Sequence, residues 1–181
     1  MRPLFLTLST MAVALATNAC GIQQAQPKRT LSFDNSAPAE ETAELKPPWM
    51  TCYDNFTPIG DAQQDLARLT AACGPGGGMQ AIGPVQQGKQ DQAQPVDRYR
   101  FYVSKADRCY RVYGAAGQSV SDLDLTLLGP DGKVLSSDAS HNSFPVLPMD
   151  APICFKEPGL YTVEVSVSQG AGPYALQIWG I

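Results

Sequence analysis

Asp122 and Asp124 flank Leu123 in the run Ser121-Asp122-Leu123-Asp124-Leu125-Thr126-Leu127. Alternation with leucine sets both carboxylates on one face of a strand, about 7 Å apart from the rise per residue. Together with Asp138, or Asp131, they are of the type that holds calcium, a hard cation satisfied by several oxygen ligands. The same alternation also marks a half-solvated strand whose charges keep one face wet. An enzyme working from this chain would use the same Asp122/Asp124 face, although nothing in it selects a reaction. His141 is the only histidine, so a Ser-His-Asp triad would need it as base. Ser140 and Ser143 are merely its neighbours in a polar run, 136–143, that reads as a loop. No Gly-x-Ser-x-Gly elbow occurs. Gly76-Gly77-Gly78 has no strand before it, no helix after it and no Gly-Lys-Ser/Thr ending, so it reads as a flexible loop rather than a phosphate cradle. No catalytic residue is assigned, and the chain is not expected to be an enzyme.

Tyr102, Tyr110, Tyr113, Trp179 and Arg111 are residue types enriched at interfaces. Most are expected at the core or its edge. Trp179, Tyr113 and Arg111 are the binding candidates, with Trp179 the most exposed because it alternates away from Ile178. The five cysteines are Cys20, Cys52, Cys73, Cys109 and Cys154. The last four form an even set, which in an exported protein reads as disulfides with three possible pairings. Cys52–Cys73 and Cys109–Cys154 are favoured: the first ties the ends of a helical segment, the second joins strands. Each contributes ~2–4 kcal/mol. Zinc is disfavoured, because no C-x-x-C occurs and His141 has no partner at ligand spacing.

The elements that must position these residues are legible as changes of period. Within 49–96, Leu66, Leu69 and Cys73 fall at helical spacing, with Ala62 less firmly on the stripe. Asp61 is the expected cap, Gln64 its partner three residues on, and Gly74-Pro75 the stop. The rest of 49–96 reads as loop. From Asp97 the period becomes two. Tyr99, Phe101 and Val103 define one strand, Tyr110 and Val112 a second, and Leu123, Leu125 and Leu127 a third. Tyr161 to Val167 and Tyr174 to Ile178 define two more, with weaker strands at Lys133–Ser136 and Pro152–Phe155. Gly129-Pro130-Asp131-Gly132, Glu157-Pro158-Gly159 and Gly170-Ala171-Gly172-Pro173 read as the turns between them. Short strands without intervening helices predict an all-β fold, an antiparallel jelly-roll-like β-sandwich over 97–181 preceded by a short N-terminal helix.

The first residues carry an address. Met1-Arg2, the apolar run through Leu15-Ala16 and the small residues up to Ala19-Cys20 form a secretory signal over 1–19. Residues 20–48 are rich in Gln, Pro, Ala, Ser and Glu and read as a tether. The chain has 13 Lys+Arg and 17 Asp+Glu, for a formal net charge of −4. Loss of Arg2 with the signal takes this to −5, with no basic cluster, which disfavours nucleic acid and anionic headgroups as partners. The small residues ending at Cys20 resemble the lipobox of bacterial lipoproteins. That resemblance implies lipid, diacylglycerol and palmitate, on Cys20, which becomes the first mature residue. Gly21 lacks the acidic residue that in some bacteria retains lipoproteins at the inner membrane, so the expected location is the outer membrane, facing the periplasm or the cell surface.

A second resemblance covers about eighty residues. Asp97-Arg98-Tyr99-Arg100-Phe101, the Ser121–Leu127 run, Asp131-Gly132, Pro158-Gly159-Leu160-Tyr161-Thr162-Val163-Glu164-Val165 and Gly172-Pro173-Tyr174-Ala175-Leu176 occur in order. This stretch resembles the bacterial pre-peptidase C-terminal (PPC) domain, a small jelly-roll-like β-sandwich. The resemblance implies a binding or accessory module of the kind that sits beside secreted proteases, and some family members bind calcium. Protease function is not carried over: no protease domain fits in the remaining mature segment, and Cys109 and Cys154 are outside the family's usual pattern. The expected function is a lipid-anchored envelope protein presenting a non-catalytic binding module for an envelope protein or surface polymer. The alternatives are a structural subunit of a secretion, motility or adhesion complex, docked through the Cys52–Cys73 segment, and an enzyme of unknown type.

Overall fold

The computed structural model describes residues 47–93, 96–138 and 140–181. The signal at 1–19, Cys20 and the tether up to residue 46 lie outside the described residues.

Among the described residues, eight strands form two antiparallel sheets that share one long strand. The elements follow the chain as α1 (Ala62–Cys73), β1 (Gln80–Asp91), β2 (Asp97–Val103), β3 (Arg108–Ala116), β4 (Val120–Leu128), β5 (Val134–Ser137), β6 (Val146–Leu147), β7 (Ile153–Phe155) and β8 (Gly159–Gly180). The first sheet pairs β1 with the second half of β8, β8 with β3, and β3 with both β6 and β7. The second sheet runs β2, the first half of β8, β4, β5. Between the sheets lies the main core, including Phe101, Val112, Leu123, Leu125, Leu127, Val163, Val165 and Leu176. These are the inward members of the period-two runs, and their burial is the dominant favourable term.

β8 corrects the expected turn at 170–173. Gly170 is the last residue paired in the second sheet, opposite Val120, and Ala171 is already paired with Asp91 of the first. The chain therefore passes straight from one sheet to the other. It does so at a glycine with φ +99°, where a Cβ would lie 2.2 Å from the Ser119 carbonyl oxygen. Turn-forming composition here serves a corner between sheets, with backbone pairing continuing on both sides.

β1 corrects the expected loop before Asp97, so the first sheet begins at Gln80. The run Gln80-Ala81-Ile82-Gly83-Pro84-Val85-Gln86-Gln87-Gly88 has no alternation of polarity because most of this edge strand faces solvent. Its backbone pairing with β8 holds it, interrupted by a bulge between Ile82 and Gln86. Gly83 takes φ +71° there.

A second core lies on the outer face of the first sheet. Leu66, Leu69 and Cys73 of α1 pack on Tyr113, Ala115, Val146 and Ala175. Asp61 caps the helix, accepting from Gln63 N at 3.1 Å and Gln64 N at 2.9 Å. Gly74 ends it in a right-handed conformation, φ −59°, so the stop comes from Pro75, which has no N–H to continue the ladder. Glycine at 74 is required for another reason: a Cβ would sit 2.6 Å from the Trp179 ring. Gly76–Gly78 is also not a free loop. It forms a 3₁₀ turn against Trp49, whose Cβ lies 2.4 Å from where a Gly76 side chain would begin. Cys52–Cys73 and Cys109–Cys154 are both disulfide-bonded, the second between directly opposed residues of β3 and β7.

Candidate functional site

The two outer faces of the sandwich differ. α1 and the segment before it cover the first sheet, so β3 is buried on both sides. This corrects the reading of Arg111, Tyr113 and Trp179 as a binding face. Arg111 and Tyr113 are fully buried, and Trp179 is half-buried in the core beneath α1. The Tyr113 hydroxyl donates to the Cys73 carbonyl at 3.1 Å. Burial pushes this phenol up, partly offset by Arg111.

The second sheet keeps an open outer face. At one end stand Tyr102 of β2, 66% exposed, and Leu160 of β8, 48% exposed, directly opposite each other. Val134 of β5 is 62% exposed. Across the middle, Arg98 Nε pairs with Glu164 Oε1 at 2.7 Å. Arg100, between Arg98 and Tyr102, makes no ion pair among the described residues. Arg98, Arg100 and Tyr102 are the outward half of the β2 alternation, while Tyr99, Phe101 and Val103 point inward. That alternation was visible in the sequence. The covering of the opposite sheet was not, and it is the covering that makes this face the available one.

The other end of the face is acidic. Asp122 and Asp124 lie near enough for their charges to act on the Asp138 carboxyl. His141 Nδ1 lies 3.2 Å from Asp122 Oδ2, with the imidazole itself 91% exposed. Ser140 Oγ donates toward both oxygens of Asp138, at 2.9 and 2.8 Å, rather than to His141, so no Ser-His-Asp arrangement forms here. Ser168 Oγ donates to Asp124. Asp122 departs from the expected solvated position. Register shifts on both sides of it break the alternation, and the residue is buried, with Oδ1 lacking a hydrogen bond among the described residues. Among the described residues, no three His, Cys, Asp or Glu side chains are grouped so as to hold a metal ion. The expected calcium set of Asp122, Asp124 and Asp138 therefore has no assembled ligand geometry.

Burial raises the Asp138 carboxyl above its ordinary value; Ser140 pulls it back, and Asp124 and Asp122 add to the rise. A raised native value means the folded state holds a proton that the unfolded state has already released. Stability then falls as pH climbs from the ordinary carboxylate range through the raised value, and the deficit persists above it. Asp138→Asn is accordingly expected to raise the thermal midpoint by a few degrees at pH 7. The gain should vanish near pH 3, where both states are protonated. Thermal melts monitored by circular dichroism at the two pH values check this, and an unchanged midpoint at pH 7 would remove the electrostatic reading.

Two edge strands meet beside the open face. Among the described residues, β1 and β2 each pair only with β8, in different sheets. Between them lies a cleft of about 370 Å³ lined by Ile82, Tyr99, Phe101 and Ile178, with Arg98 and Arg100 at its rim. A hydroxyl cluster lies beside it. The Tyr174 hydroxyl donates to Asp97 and lies 2.7 Å from the Tyr99 hydroxyl. Burial pushes the Tyr174 phenol well up, and its bonds to Asp97 and Tyr99 add to the rise. β1 passes over this cluster at Gly88, where a Cβ would meet the Tyr174 oxygen at 2.2 Å.

Residues 95–166 match the family model of the bacterial pre-peptidase C-terminal domain. The C-terminal part of the chain is thus a PPC-like β-sandwich module, and modules of this family are generally of a non-catalytic accessory type. Among solved structures, the chain is similar to the pre-peptidase C-terminal domain of a collagenase from Bacillus anthracis, with 17% identity and a TM-score of 0.43. That alignment covers 54% of this chain and 89% of the other. No curated protein matches the chain significantly.

Proposed function

We propose that this is a lipid-anchored cell-envelope protein whose PPC-like sandwich is a non-catalytic binding module. In this reading Cys20 carries the lipid, residues 20–48 hold the module off an outer membrane, and the partner is an envelope protein or surface polymer. One observation carries the binding assignment: α1 covers one outer face of the sandwich, while the other presents Tyr102, Leu160 and Arg100 uncovered. Aromatic and arginine side chains bury large area with directional contacts and are enriched where proteins meet partners.

A photoreactive phenylalanine analogue placed at Tyr102 in living cells is expected to give a discrete crosslinked adduct. The same analogue at Ala71, on the exposed side of α1, is expected to give none. Equal adducts from both positions, or none from Tyr102, would overturn the face assignment. The anchor is tested separately by Cys20→Ala. The protein is then expected to leave the membrane fraction and lose metabolic palmitate label, and unchanged membrane retention would overturn lipid attachment.

A further inference from the structure

The geometry points to β-strand addition along the free edge of β2, taking an extended peptide that alternates apolar and acidic side chains. This names the partner class for the binding module proposed above and rests on that reading.

β2 pairs with β8 without interruption from Asp97↔Val165 to Val103↔Gly159. Among the described residues no strand pairs with its other edge, whose backbone N–H and C=O groups are left for a partner. Exposed edges invite pairing unless bulges or proline break them, while charged side chains restrict which partner can pair. β1 is blunted in this way by its bulge at Gly83-Pro84. β2, Asp97-Arg98-Tyr99-Arg100-Phe101-Tyr102-Val103, has no glycine, no proline and no register shift. It is therefore a competent template for an added strand, where main-chain bonds supply affinity and alternate side chains supply selection.

The surroundings define that selection. An added strand continues the two-residue alternation of the sheet. Its inward side chains would enter the cleft against Ile82, Phe101 and Ile178, a surface that suits Val, Ile or Leu. Its outward side chains would stand beside Arg98, Arg100 and Tyr102. Arg98 is shared with Glu164, whereas Arg100 makes no ion pair among the described residues, on a chain whose formal net charge is −4. Acidic side chains on the incoming strand complement this local reversal of sign. A second copy of the same edge does not: antiparallel self-pairing centred on Arg100 would oppose like charges, which is destabilising.

The probe is the peptide acetyl-Thr-Val-Glu-Val-Glu-Val-Thr-amide, titrated into the full chain carrying Cys20→Ala, with amide shifts followed by NMR. Shifts confined to residues 97–103 and the cleft are expected. Replacing the two Glu with Lys, or N-methylating alternate backbone nitrogens, is expected to weaken binding at least about fivefold. Arg100→Glu, an exposed change, should weaken the Glu peptide and strengthen the Lys peptide by similar factors. Equal binding of the N-methylated peptide, shifts centred elsewhere, absence of binding, or dimerisation through β2 would each overturn strand addition. If the Tyr102 crosslink in cells survives Arg100→Glu while the peptides fail, strand addition falls and the broader binding reading stands. If the crosslink is absent as well, both fall.

Discussion

Arg111→Ala is expected to destabilise the fold by about 3–5 kcal/mol. Arg111 is fully buried on the covered side of β3. Its Nε donates to the Pro148 carbonyl at 3.0 Å and its Nη2 to the Met149 carbonyl. The guanidinium lies 5.3 Å from the Tyr53 ring centroid and 5.9 Å from that of Tyr113. Alanine would take the Arg111 donor from the Pro148 carbonyl, leave the Met149 carbonyl with the Tyr53 hydroxyl alone, and open a cavity between the sheet and the segment before α1. Nη1 is buried without a hydrogen bond, so the native arrangement already carries a desolvation cost. Arg111→Met keeps most of the volume and removes that cost, and it is expected to lie between wild type and Arg111→Ala. Urea titration with the disulfides intact measures all three proteins. A loss below about 1 kcal/mol for Arg111→Ala would show that the carbonyl contacts contribute little, since a typical hydrogen bond alone is worth that much.

Asp65→Ala is expected to cost about 3–4 kcal/mol, because hydrogen bonds to a charged group are worth more than neutral ones. The Asp65 carboxylate is fully buried in α1 and accepts from Ile59 N at 2.9 Å and Gly60 N at 2.8 Å. Arg68 Nη1 bonds it at 2.9 Å, but this guanidinium is half-exposed, so that pair contributes little after solvent screening. The main loss is the anchoring of the loop that leads into the helix. Asp65→Asn retains one acceptor oxygen and turns an amide donor toward the N–H groups, so a cost of about 2 kcal/mol is expected. Amide hydrogen exchange at Ile59 and Gly60 should rise in both variants. Unchanged exchange there would place the stabilisation elsewhere.

Neither residue advertised its role. Arg111 alternates with Tyr110 and Val112 as an outward residue should, and it does point away from the inter-sheet core. The covering helix then makes outward the same as buried. Asp65 carries no signal of its role, since nothing in the local run says that the chain before Asp61 folds back to donate two N–H groups. Asp122 shows the converse limit: register shifts interrupt the alternation at a residue that is buried, while its neighbours Leu123, Leu125 and Leu127 kept their expected places. β1 was illegible because backbone pairing holds it, and backbone pairing has no side-chain signature.

What could be read from the sequence was whatever is local and periodic. The α1 stripe and its Asp61 cap, the inward faces of β2, β3 and β4, and the β-sandwich class all follow from spacings of two or 3.6 residues, because burial on one face selects apolar side chains at the period of the backbone. Coverage and continuity were decided only in three dimensions. Which outer face α1 closes, that β8 runs through Gly170 into a second sheet, and that the β1 and β2 edges flank one cleft all depend on contacts between residues far apart in the chain. No short run of residues encodes such contacts. They arise when two sheets and a helix bury their apolar faces together, and they leave the outer face of the β2 sheet uncovered among the described residues.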